Sequence, residues 1–285
     1  MFVFLGVCAL VTVVASAEIA DTAGFVGVFV GTASSGWLFI QRSRLFSGRE
    51  QLGWSLIGAG LLIASGGVIS IAIRFLMVGD APTFGFNDLF FFATYATIIA
   101  GFAVLPHTQG SPLQRTRMVI DGLIGAIFIG ALLWVYVLSP LMVHLESAPT
   151  TTRVIGALYP FLDLVFLTVA MLVLLRRSTR RFDTRLALFT VGVVAQVVGD
   201  VLFLVSARTG SFEAATPPYV VNLVGIAAFF ASAYLLRSAP PVREYAERTA
   251  PLWTVVAPYV PAVGLLGVFI VDWIMTSRVD HVLLI

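Results

Sequence analysis

The strongest constraint on this chain is a repeating pattern. Apolar runs long enough to cross a bilayer are separated by short gaps, and the gaps alternate in arginine content. The gaps Gln41–Gln51, Pro106–Arg117, Arg176–Arg185 and Arg237–Arg248 hold 13 of the 17 basic residues. The intervening gaps hold the other four, Arg74, Arg153, Arg208 and Arg278. Arginine-rich loops stay in the cytoplasm. The pattern therefore predicts a multi-pass membrane protein of defined sidedness rather than a soluble globule.

Composition agrees. The chain is 59% hydrophobic and 11% charged, with a mean hydropathy of +1.00; soluble domains average roughly 45–50% and about 25%. A span needs about 20 apolar residues. The expected fold is all-α, a polytopic transmembrane helical bundle with about nine complete spans and the start of a tenth. Helices are required because in lipid every backbone polar group must be satisfied internally. The spans are placed at about 2–17, 22–40, 53–78, 86–106, 118–143, 154–175, 186–207, 218–236 and 252–275, and a tenth opens near His281.

Orientation follows from the arginines. The N-terminus lies inside, the first loop (Glu18, Asp21) outside, the second (Arg42, Arg44, Arg49) inside, and so on to an outer loop at Ser277–His281. The apolar run Val282–Ile285 has no closing charged flank. The expectation is therefore a longer protein that continues into the cytoplasm, with 1–285 forming one membrane domain. At the N-terminus, Ala15-Ser16-Ala17 resembles a signal-peptidase site, but no Arg or Lys precedes the apolar run. A retained first span and a cleaved signal both stay open.

Several function classes are excluded or unsupported. One cysteine, Cys8, leaves no internal disulfide or cysteine-based cluster. Three scattered histidines (His107, His144, His281) argue against a structural metal site. There is no P-loop, no G-x-S-x-G and no H-E-x-x-H. No cofactor is expected. The arginines flank the membrane, so nucleic acid is not an expected partner. The bilayer is the first partner. Small-residue spacing at Gly27-x-x-x-Gly31 and Ala126-x-x-x-Gly130 suits close helix packing, and a homodimer is compatible with it.

Ionisable residues inside spans carry the functional signal, since each costs about 2.5–3.5 kcal/mol at a helix centre on insertion scales. Asp163 lies ~14 Å inside the outer end of its span and Asp200 ~10 Å inside its own, at 1.5 Å per residue. Tyr159 is one turn before Asp163 on the same face, and Gln196 one turn before Asp200. Asn222 and Tyr219 lie on the outer side of the next span. Asp88, after Pro82 and Asn87, is near the outer rim, as are Arg74, His144 and Asp272. Asp121 sits at an inner end, one turn after Arg117. The candidate site is thus a polar core in the outer half of the bundle, formed by Asp163, Asp200, Arg74, Tyr159, Gln196, Asn222 and Asp88. Arg74 is its expected counter-cation. Interhelical bonding alone, a pocket for a small extracytoplasmic ligand, and an ion path are all compatible with such a core.

The order of motifs resembles a known family. A Trp-containing glycine-rich helix (Gly53-Trp54…Gly58…Gly60) is followed by Pro82…Asp88 and Arg117…Asp121. Tyr159-Pro160-x-x-Asp163 and Gly199-Asp200 before Gly210-Ser211 complete the set. This resembles the multi-pass N-terminal regions of bacterial GGDEF and GGDEF–EAL proteins, which make or degrade cyclic di-GMP. The resemblance covers roughly Gly53 to Pro241. It implies a sensory or anchoring input module in the bacterial cytoplasmic membrane, coupled to a cytoplasmic cyclase, phosphodiesterase or kinase domain. Gly66-Gly67-Val68 stands where the family often has a Gly-Asp pair, and no GGDEF or EAL sequence is present. A multi-pass small-molecule transporter or a stand-alone membrane protein is the alternative.

Overall fold

The structure, a computed structural model, describes residues 1–14, 17–78, 85–105, 150–178, 183–209 and 216–236, with isolated positions between 120 and 143. The described residues are helical, with no strand among them. The helices are α1 (Phe2–Val14), α2 (Ala17–Ser43), α3 (Gly48–Val78), α4 (Phe86–Val104), α5 (Thr150–Ser178), α6 (Thr184–Thr209) and α7 (Thr216–Leu235).

Six of these, α2 to α7, are long and apolar enough to cross a membrane. The described residues thus show six of the expected nine spans. The first expected span, 2–17, forms a helix of 13 residues, ~20 Å long, against ~30 Å of hydrocarbon. The second helix begins at Ala17, so Glu18 and Asp21 lie in its first turns and not in a loop. Apart from isolated positions of 118–143, the expected spans 118–143, 252–275 and 281 onward lie outside the described residues. The other boundaries agree with expectation to within a few residues.

Neighbour contacts run α2–α3–α4–α5–α6–α7 and close from α7 back to α2. The six spans therefore form a ring, and α1 lies against α2 and α7. Glycines set the closest approaches. A Cβ at Gly53 would lie 3.0 Å from the Gly101 carbonyl oxygen, so α3 and α4 meet backbone to backbone. On α2, the stripe Gly24, Gly27 and Gly31 receives Tyr219, Leu223 and Ile226 of α7 in ascending order. That order makes α2 and α7 parallel. The stripe also receives Cys8 and Leu5 of α1, so the small-residue motif is occupied within the chain.

Contacts Asp88–Tyr159, Tyr95–Asp163 and Phe102–Phe166 also ascend together, so α4 and α5 are parallel.

Because the ring closes this way, the arginine-flanked ends of all six spans lie together. At that end Asp183 accepts from the backbone N–H of Arg185 at 3.1 Å and pairs with its guanidinium at 3.0 Å, which caps α6. Near the same end the core is aromatic. Phe39 stacks on Trp54 at 5.7 Å, and the Phe189 ring meets Phe39, Phe102, Phe166 and Phe229 at 4.8–6.5 Å. Each of the six helices supplies one of these rings. Edge-to-face and tilted packing of this kind adds attraction beyond the area it buries.

Candidate functional site

A helix presents residues one heptad apart on nearly the same face. Moving about one heptad from buried core residues toward the arginine-poor end replaces apolar residues with polar ones. Buried Phe39 leads back to buried Thr32 on α2, and Phe102 to Tyr95 on α4. Buried Ala170 leads to Asp163 on α5, Val193 to Asp200 on α6, and Phe229 to Asn222 on α7. On α3 the buried Ser65 follows Leu61 by one turn. A polar layer therefore lies above the aromatic one.

The carboxylates are served by tyrosines from the opposite helix of the α4–α5 pair. Tyr159 of α5 donates to Asp88 Oδ1 at 2.5 Å. Tyr95 of α4 donates to Asp163 Oδ1. Asp163 is 3% exposed and Asp88 5%, so both bonds are shielded from bulk solvent. Charge-assisted O–H···O⁻ bonds of this type are short and strong. Asp88 also accepts from the Gly85 backbone N–H at 2.7 Å and from Asn87 Nδ2 at 3.3 Å. Its position in the first turn of α4 places the negative charge at the positive end of the helix dipole.

Asp200 of α6 lies near enough to Asp163 of α5 for the two groups to influence each other electrostatically, and it also influences Tyr95 and Tyr159. It is half-buried and accepts no hydrogen bond from a described residue. On its other side, Gln196 donates to the Asn222 backbone carbonyl at 3.1 Å. Asn222 is 7% exposed, and its Oδ1 has no hydrogen-bond partner among the described residues. That oxygen rests on Gly199, where an added Cβ would lie 1.8 Å away. Glycine beside Asp200 is therefore what lets an amide from α7 reach this layer.

Of the residues read from the sequence, Asp88, Tyr159, Asp163 and Asp200 thus share one electrostatic cluster, and Gln196 and Asn222 border it on the α6–α7 side. Arg74 is exposed near the arginine-poor end of α3, and no ion pair joins it to Asp88, Asp163 or Asp200. A long guanidinium side chain near a helix end reaches the interface more readily than the bundle interior. Asp121, His144 and Asp272 lie outside the described residues. Sequence reasoning missed Tyr95. The available signal was its heptad spacing after Asp88 and before Phe102, which puts all three on one face of α4.

The cluster therefore has three carboxylates, two hydroxyl donors and an unfilled amide acceptor. Among the described residues no Arg or His meets these carboxylates, and no group of three His, Cys, Asp or Glu is placed to hold a metal ion. Such a layer can hydrogen-bond a donor-rich guest or exchange protons with water. Comparison with protein-family models, curated proteins and solved structures yields no match.

Proposed function

We propose that this chain is the membrane-embedded sensory and anchoring module of a bacterial signalling protein. It sits in the cytoplasmic membrane with its N-terminus and arginine-rich ends inside. Its polar layer lies in the outer half and receives a small extracytoplasmic ligand at Asp163, Asp200, Tyr159, Asp88, Gln196 and Asn222, with Tyr95 added and Arg74 at the rim. A change in that layer shifts the helices and is passed to a cytoplasmic diguanylate cyclase or phosphodiesterase domain.

The observation that supports this reading most is the stacking of the two layers. Polar side chains from α4, α5, α6 and α7 lie above an aromatic layer built from all six helices, so a guest can be held but meets apolar packing beneath it. The motif order shared with GGDEF-associated membrane regions supports the choice of output. Transport is less well supported. Transporter sites are typically formed by helices broken near the midplane, whereas α5 continues through Pro160.

The test is genetic and biochemical. Cellular cyclic di-GMP should change when the gene is deleted, and complementation with Asp200→Asn should fold but fail to restore the signal response. An output unaffected by deletion, or a reading frame that closes without a GGDEF, EAL or kinase domain, would overturn the proposal.

A further inference from the structure

Helix α5 changes character at Pro160. A proline inside a helix has no N–H for the carbonyl four residues back, and its ring crowds that carbonyl. Here the carbonyl belongs to Gly156. The turn Gly156–Pro160 therefore lacks one of its helix bonds, while the helix continues on both sides. On the arginine-rich side of this turn α5 is anchored. Phe166, Leu167, Ala170 and Val173 belong to the core, and Tyr95 donates to Asp163. On the other side, from Thr150 to Tyr159, the described side chains are exposed or half-buried and none enters the core.

Tyr159, in the weakened turn, ties this outer arm to α4. Its hydroxyl donates to Asp88 Oδ1 at 2.5 Å, and its ring meets Phe92 with centroids 5.2 Å apart. The α4 side of the tie is fixed independently. Asp88 also accepts from the Gly85 backbone N–H at 2.7 Å and from Asn87 Nδ2 at 3.3 Å. α4 itself is seated on α3, backbone to backbone, at Gly53 and Gly101. Asp88 thus keeps donors when Tyr159 leaves, whereas the arm loses its hold. Proline kinks exceed about 20°, and ten helical residues span about 15 Å. A rotation of that size moves the tip of the arm by about 5 Å.

We propose that α5 is a proline hinge whose outer arm, Thr150–Tyr159, is latched to α4 by Tyr159 on Asp88 and swings when that contact is released. The swing opens the α4–α5 seam at its outer end and leaves the aromatic layer in place, because the core residues of α5 lie beyond the hinge. The hinge goes beyond the sensory reading above and does not depend on it.

The test is a set of pulsed electron-paramagnetic-resonance distances in the full chain, in lipid nanodiscs, with Cys8→Ser so that only introduced cysteines carry a nitroxide. One label sits at Val26, an exposed position of α2, the helix opposite α5 in the ring. The second sits at Thr150, exposed at the tip of the arm, or at Phe161, exposed just past the proline. Narrow distances are expected for both pairs in the parent chain. Tyr159→Phe should broaden or shift the Thr150 distance by about 5 Å and leave the Phe161 distance unchanged. Pro160→Ala in the same chain should return Thr150 to its parent distance, since the bond to the Gly156 carbonyl is remade. Asp88→Asn weakens the latch from the other side, and it decides the matter if Tyr159→Phe does not fold. An unchanged Thr150 distance in the folded latch variants, an equal movement at Phe161, no recovery with Pro160→Ala, or a Thr150 distance already broad in the parent would each overturn the hinge.

Discussion

The two layers of the bundle use the same helices for opposite purposes. Near the arginine-rich ends, Phe39, Trp54, Phe102, Phe166, Phe189 and Phe229 pack ring against ring. Toward the other end, the same helices carry Thr32, Tyr95, Asp163, Asp200 and Asn222. In lipid there is no hydrophobic force between helices, and association depends on close packing and interhelical bonds. The aromatic layer supplies packing and needs no particular partner atom. The polar layer depends on directed bonds, and among the described residues Asn222 Oδ1 has no donor. The comparison teaches that two kinds of contact are separated along the bundle axis: ring packing joins the helices at one level, and directed hydrogen bonds join them at the other.

The sharpest way to break that division is to remove the centre of the aromatic layer. Phe189→Ala should cost about 3–5 kcal/mol, read as unfolding in detergent micelles, because Phe189 contacts rings from α2, α4, α5 and α7. A cost below that of polar-layer variants would reverse the roles assigned to the layers. Next in size is Gly199→Ala. The new methyl group overlaps Asn222 Oδ1, and overpacking of this kind costs about 1–3 kcal/mol. Asn222→Ala in the same chain should recover most of the loss, since the two atoms in conflict are then gone; additive losses would show that the seam between α6 and α7 is not set by this pair.

Tyr95→Phe sharpens the comparison from the polar side. It leaves the 3%-exposed Asp163 without its hydroxyl donor, at about 1–3 kcal/mol, and Asp163→Asn in the same background should recover part of that. Recovery in the double variant distinguishes a buried, bonded carboxylate from one that meets water freely. The smallest effect belongs to Thr94→Val. Thr94 Oγ1 donates at 3.2 Å to the Gly60 carbonyl of α3 and at 2.9 Å to Phe90 within α4. Interhelical bonds in membrane proteins average about 0.6 kcal/mol, so a melt within that margin is expected. A large loss would mean that polar contacts, and not aromatic packing, hold α3 to α4.

Much of this molecule was legible before any coordinates. Apolar runs bounded by arginines located α2 to α7, because the requirement to satisfy every backbone group in lipid leaves helix as the only local solution. That Asp163 and Asp200 lie within apolar helices was legible for the same reason. The Gly27-x-x-x-Gly31 spacing also marked a close approach, and side chains of α7 and α1 fill it.

Other features were decided only by the assembled ring. That α4 and α5 run side by side and parallel is not a property of either segment; it follows from which faces find each other. That arrangement puts Tyr159 on Asp88 and Tyr95 on Asp163, residues about seventy positions apart. It also leaves Arg74 exposed while the carboxylates it was expected to neutralise face inward. The first apolar run reads like a span but ends as a 13-residue helix in the groove beside Gly27 and Gly31. Hydropathy reports only that a residue avoids water. Whether it then faces lipid, a glycine groove or an aromatic layer is set by contacts between helices, and those exist only in the tertiary structure.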